Sequence, residues 1–288
     1  TPLVLDEFGI GEKAVEINTI AVQLARAACD KYSTPEKPRF VAGSIGPTTK
    51  ALSVTGGITF DELRLNFKIQ AKALVEAGAD YLLIETALDT LNIKAAYIGC
   101  LDAFEEVGQT LPVAISGTVE TMGTMLGGQT VEALYTSIEH MKPLYIGLNC
   151  ATGPEFMRDH IRSLAEISKY PIAVVPNAGI PNEDGVYPEK PENLASTLQT
   201  FIDEGWLNVI GGCCGTTPSH IQSLSEIANT SNPRTYIPES VSRVSGIETV
   251  IFENENRPYI VGERSNVIGS RKFKRLIVEG SLDEAAEI

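Results

Sequence analysis

The sequence predicts an α/β protein: a (β/α)8 barrel of the TIM type with six of its eight strands in this chain, followed by the first strand and helix of a second barrel. Three observations carry that prediction. Short apolar runs alternate with stretches of helical periodicity along residues 40–228. The runs are continuously apolar, as in parallel strands covered on both faces. They also recur at roughly 25–40 residues, the spacing of barrel repeats.

In order, the strand-like runs are residues 40–45, 81–85, 112–116, 145–150, 172–175 and 207–210. After the first of them, Leu63, Phe67, Ile69 and Leu74 recur as in the apolar stripe of an amphipathic helix. Thr59 with Glu62 forms a capping box, and Thr217-Pro218 sets a cap ahead of a first-turn proline. Gly78, Gly108 and Gly205 stand where helices end in the left-handed conformation. A helix over residues 12–32 precedes the first run with no strand of its own. Closing a barrel takes eight strands, so two are expected before Thr1, the second of them leading into this helix. From Asn229 the character changes. Residues 229–233 read as a linker and residues 242–252 as an extended hairpin. A new strand at 259–262 is then followed by a helix from Lys272 towards Ile288. The expected domains are a first barrel over 1–229, incomplete at its N-terminus, a linker over 230–258, and the start of a second barrel over 259–288.

Composition narrows the function before any motif does. Of 288 residues, 43% are hydrophobic and 21% charged, which suits a packed core. The net charge of −14, from 23 basic and 37 acidic residues, argues against nucleic acid and anionic membrane as partners. Both reward clustered Lys and Arg. The longest apolar runs are strand-length, so none is expected to span a bilayer. Five cysteines, two of them adjacent, are too irregular for a disulfide framework. They read as reduced thiols of a cytoplasmic protein.

Parallel barrels carry their functional groups at the C-terminal ends of the strands. Cys150 ends the fourth run, Asn177 follows the fifth, and Cys213 and Cys214 end the sixth. Consecutive strands are barrel neighbours, so three thiols and an amide are expected on one patch of the rim. Adjacent strand residues normally point to opposite faces. Gly211, Gly212 and Gly215 around the pair are expected to supply backbone angles that turn both sulfurs towards Cys150. Three thiolates suit zinc and leave its fourth position open, the arrangement of a catalytic site. Their summed charge makes such a site a poor source of hydroxide. It is suited to holding a fourth thiolate, whose proton the metal removes although a free thiol titrates near ~8.5. Activation of a substrate thiol for alkylation is the expected chemistry.

Gly147-Leu148-Asn149-Cys150 together with Gly211-Gly212-Cys213-Cys214-Gly215-Thr216 resembles the zinc-binding signature of homocysteine S-methyltransferases. The resemblance runs through almost all of residues 1–229. It implies zinc on Cys150, Cys213 and Cys214, with homocysteine sulfur as the incoming ligand. Glu85 closes an apolar strand, where an unpaired carboxylate is costly, so it should face a cation. The family places a glutamate here for the ammonium of homocysteine; the other reading is a rim salt bridge to Lys or Arg. Asn149 either orients the zinc loop or satisfies backbone groups. Asn177 either lends a carbonyl oxygen as temporary fourth ligand or serves a turn.

Residues 261–273, Val-Gly-Glu-Arg-Ser-Asn-Val-Ile-Gly-Ser-Arg-Lys-Phe, resemble the opening of the methyltetrahydrofolate-binding (pterin-binding) barrel of cobalamin-dependent methionine synthases. That tandem order implies transfer of a methyl group to homocysteine. The donor would be methylcobalamin recharged by methyltetrahydrofolate, both bound by modules outside this chain. The alternatives are a stand-alone enzyme using betaine or S-methylmethionine, and an inactive fragment that only binds zinc. Other signals are discounted. Gly9-Ile10-Gly11-Glu12-Lys13-Ala14 fits a dinucleotide-binding pattern in letters but lacks a preceding strand. His140, His160 and His220 read as helical residues away from the thiols, and Cys29 and Cys100 as helix packing.

Overall fold

The computed structural model describes residues 1–259 and 265–288, so the strand expected at 259–262 lies, beyond Tyr259, outside the described residues. The chain divides into two compact units, Thr1–Val250 and Ile251–Ile288.

The first unit opens with helices α1 (Pro2–Asp6) and α2 (Ala14–Tyr32). Six strands follow: β1 (Ala42–Ile45), β2 (Tyr81–Ala87), β3 (Val113–Gly117), β4 (Ile146–Asn149), β5 (Ile172–Val175) and β6 (Val209–Ile210). They pair in chain order into one sheet, and every pairing is parallel. Each strand is followed by a helix, in turn α3 (Phe60–Glu76), α4 (Thr90–Val107), α5 (Val131–Ile138), α6 (Pro154–Ile167), α7 (Pro191–Asp203) and α8 (Pro218–Thr230). The continuously apolar runs do what their composition requires: every residue of β3 and β4 is buried. Ile45, Leu82, Ile115, Ile146, Leu148, Ile172 and Val174 form one core with Phe67, Leu134 and Leu198 of the helices. Each such side chain contributes about 1.5–3 kcal/mol relative to exposure.

Local chemistry sets the boundaries. The capping box at Thr59 and Glu62 starts α3, and Gly108 ends α4 with φ 74°. The first strand starts at Ala42, two residues later than its apolar run. Val41 donates its N–H to the Asp80 carboxylate (2.6 Å), itself held by Arg26 (2.7 Å), and Phe40 is exposed. The sixth strand is two residues, shorter than its apolar run, and pairs with β5 alone. Among the described residues β1 and β6 do not pair with each other, so the sheet keeps two open edges. Helix α8 runs through Asn229 to Thr230, and irregular chain begins at Ser231 rather than at Asn229.

The extended segment is a two-stranded sheet, β7 (Arg243–Ser245) with β8 (Thr249–Ile251), joined by three residues, too short a link for a parallel pair. It packs on α5. Arg243 meets the Glu139 carboxylate at 2.8 Å and lies over the Tyr135 ring, 4.7 Å from its centroid.

In the second unit, the helix expected from Lys272 to Ile288 is two helices, α9 (Arg271–Glu279) and α10 (Leu282–Ala286). Gly280 at φ 75° ends the first. Among the described residues no helix is long and apolar enough to cross a membrane.

Candidate metal centre

Three sulfurs converge at the C-terminal ends of β4 and β6. Cys150 Sγ lies 3.7 Å from Cys214 Sγ, and Cys213 Sγ lies 4.0 Å from Cys214 Sγ. All three fall within 4.8 Å of one another. Sulfurs sharing a tetrahedral ion at roughly 2.3 Å would stand ~3.8 Å apart, so the donor set fits a common metal. Cys150 and Cys213 are half-buried and Cys214 is exposed, which leaves the cluster open on one side.

The backbone that achieves this differs from the sequence expectation. Gly211 and Gly212 do not adopt positive φ; Cys150 (64°), Ala151 (57°) and Gly215 (77°) do. Two successive left-handed residues turn the chain at the end of β4, and Thr152 N–H closes the turn on the Cys150 carbonyl at 2.7 Å. Non-glycine residues seldom occupy this region, and their strain is typical of functional sites. Gly212 is small for space instead: a Cβ there would meet Thr216 Cγ2 at 2.4 Å. Gly215 needs both freedoms, since a Cβ would also meet the Tyr187 ring, 2.2 Å from its Cγ. The Cys213–Cys214 turn is fixed by Cys213 N–H to the Pro176 carbonyl (2.8 Å) and Ala178 N–H to the Cys214 carbonyl (2.9 Å).

With no cation beside them Cys150 and Cys213 resist ionisation. Burial, then the neighbouring Cys150, pushes the Cys213 thiol up to about 12, although the Asn149 amide pulls the other way. Burial likewise raises Cys150. A divalent ion reverses this balance, because its charge favours every thiolate. Cys100 is also pushed up to about 12, by complete burial alone, and lies in the core apart from the cluster.

Asn149 is 1% exposed and ties three strand ends together. Its Oδ1 accepts from Thr86 N–H (2.9 Å) and Ser116 Oγ (2.7 Å). Its Nδ2 donates to Thr86 Oγ1 (2.7 Å) and to Cys213 Sγ (3.8 Å). The amide thus satisfies a backbone group and touches a thiol. Asn177 places its Oδ1 on the Cys214 N–H at 3.1 Å, which serves the turn. Glu85 accepts from Ser44 Oγ on β1, and no Lys or Arg pairs with it among the described residues. It lines a small cavity with Ile45, Gly46, Thr48 and Ile84. His220 turns away from the sulfurs as expected: Nδ1 accepts from Thr217 N–H (3.1 Å), and Nε2 meets the Glu189 carbonyl (3.0 Å).

Three contributors escaped the sequence reading. Thr86 (φ 55°) and Ser116 enter only through strand register, and Tyr187 comes from deep within the loop after β5. Ser116 stands near the end of β3, a signal that marks it as a candidate but not as a partner of Asn149. Tyr187 left no such signal.

The fold and site define a parallel α/β protein with an open three-thiol cluster on the carboxyl rim of its sheet. The sequence profile of the homocysteine S-methyltransferase family matches residues 1–228, and the chain belongs to that family, a family of methyltransferases. Among solved structures it is similar to the homocysteine methyltransferase MmuM of Escherichia coli. For the metallated form the identity is 23% and the TM-score 0.63, covering 78% of this chain and 75% of that one. For the apo form the values are 22% and 0.59, covering 75% and 74%. At such identity the likeness speaks for the fold.

Proposed function

We propose that this chain activates homocysteine for methylation, as the first module of a cobalamin-dependent methionine synthase. The single observation that carries the reading is the convergence of Cys150, Cys213 and Cys214 on one open patch. These three residues would hold zinc. When bound, zinc supplies deprotonation of a fourth, substrate sulfur and keeps it nucleophilic at neutral pH. The chain's own residues do the rest. Glu85, which no Lys or Arg among the described residues pairs with, takes the substrate ammonium. Asn149 orients Cys213, and Asn177 holds the Cys214 turn. Homocysteine loses its thiol proton, its thiolate forms the new bond to the methyl carbon, and the donor leaves with the electron pair of its broken bond to methyl, giving methionine.

The finer assignment rests on residues 261–273, whose sequence resembles a folate-binding module. On this reading the methyl donor is methylcobalamin, recharged by methyltetrahydrofolate, with both bound elsewhere in a longer protein. The sheet is six strands of an eight-stranded barrel; residues 1–229 belong to that barrel, 230–258 to a linker, and 259–288 to the start of a pterin-binding domain. The open edges of β1 and β6 support the incomplete barrel. A stand-alone enzyme would instead take its methyl group from betaine or S-methylmethionine.

Calorimetry on the zinc-loaded chain tests the function. One homocysteine is expected to bind with release of a proton, and binding should vanish when zinc is removed. Proton-free binding that ignores zinc would sink the reading. Methyl transfer from S-methylmethionine, but not from methylcobalamin, would select the stand-alone alternative.

A further inference from the structure

We infer that Asn149 is a positioning residue that sets the offset between Glu85 and the thiol cluster, and thereby selects thiols carrying an ammonium group at homocysteine's reach. The inference rests on the function proposed above and deepens it.

Three observations meet at this residue. First, β2 carries one extra residue against β3. Ile84 pairs with Ile115 and Ala87 with Gly117, so Glu85 and Thr86 together oppose Ser116. Such a bulge bends its strand and re-aims a side chain. Second, the bulge is strained, because Thr86, a β-branched residue, sits at φ 55°. Strain of this kind persists only where the surroundings over-determine it. Third, Asn149 supplies the determination. It grips Thr86 at two points, accepting from its N–H (2.9 Å) and donating to its Oγ1 (2.7 Å).

The other half of the same amide is committed to the thiols, through Nδ2 to Cys213 Sγ at 3.8 Å. Both amide donors and both acceptor sites are therefore used, and the side chain is buried. One rigid planar group thus spans the residue next to Glu85 and a sulfur of the cluster. Ser44 fixes the Glu85 carboxylate from the opposite side. Nothing about holding the sheet together requires the amide to touch a sulfur. A ligand that must reach both a carboxylate and a metal-bound sulfur position does require that link, because its two ends are joined by a fixed number of bonds.

The test uses the 288-residue chain loaded with cobalt(II), whose thiolate charge-transfer absorption reports a fourth sulfur. Homocysteine is compared with 4-mercaptobutanoate, which keeps the thiol, chain length and carboxylate but lacks the ammonium. The unaltered protein should bind homocysteine tighter by about tenfold or more, the weight of one charge-assisted hydrogen bond. In Asn149→Ala that ratio should fall to within about threefold, through weaker homocysteine binding, with 4-mercaptobutanoate little changed. Thr86→Val removes the Oγ1 acceptor while leaving Cys213 its amide, and should lower the same ratio. It carries the decision should Asn149→Ala fail to fold or to hold cobalt. An unchanged ratio in the variant that decides overturns the inference, even when both thiols bind more weakly. Equal binding of the two thiols by the unaltered protein overturns it too, while leaving thiol activation standing. A spectrum that responds to neither thiol overturns the proposed function, and the inference with it.

Discussion

At the scale of the residue, the site works by setting burial against charge. Burial, then the neighbouring Cys150, pushes the Cys213 thiol up to about 12, and the charge of a divalent ion would favour every thiolate. Replacing Cys150, Cys213 or Cys214 singly with Ala is therefore expected to lower zinc content sharply, measured as metal per chain after dialysis. Cys100→Ala should cost about 1 kcal/mol of stability through a small cavity, yet leave zinc in place. Glu85→Gln keeps the shape and removes the charge. It should weaken homocysteine by about 1.5–3 kcal/mol with zinc retained, and equal affinity would return Glu85 to a structural role. Gly215→Ala drives a methyl group into the Tyr187 ring at a positive φ, so zinc binding should weaken and the loop after β5 become more open to proteases.

At the scale of the element, what the sequence made legible follows from periodicity. Continuous apolar runs and well-formed caps marked six strands and their helices, since both signals are local. The thiols were legible too, because strand ends are where a parallel sheet displays its chemistry. The partners of Asn149 were not, because register is a non-local quantity. One extra residue in β2 decides that Thr86 meets the amide, and no motif announces it. The left-handed turn at Cys150 and Ala151 was equally hidden, since the glycines that signal such turns surround Cys213 and Cys214, where Gly215 alone takes positive φ.

Helices α3 and α4 offer a test of their own. Lys68 (2.6 Å) and Lys72 both pair with Glu106, and their hydrogen bonds, then their charges, hold its carboxyl well below 4.5, at about 2. A depressed carboxyl contributes its stability above the unfolded value and loses it as pH falls through the folded one. Glu106→Gln should therefore lower Tm slightly near neutrality and flatten the decline between about pH 4.5 and about pH 2. A parallel offset at every pH would contradict the assignment.

At the scale of the whole molecule, the sheet presents a functional rim on a scaffold with two open edges. Unpaired strands offer free backbone donors and acceptors, so the isolated chain should self-associate more readily as concentration rises, measured by light scattering. A concentration-independent monomer would show that the edges are covered. The three thiols stand at the ends of β4 and β6, Asn149 ties that patch to β2 and β3, and Ser44 of β1 holds Glu85. The central claim is that the three thiols form one metal centre with a position left for a substrate sulfur. X-ray absorption at the zinc edge on the loaded chain tests this most directly, before and after homocysteine is added. The account predicts three sulfurs at roughly 2.3 Å rising to four. A sulfur count that stays at three with homocysteine bound, or that falls short of three without it, would contradict it.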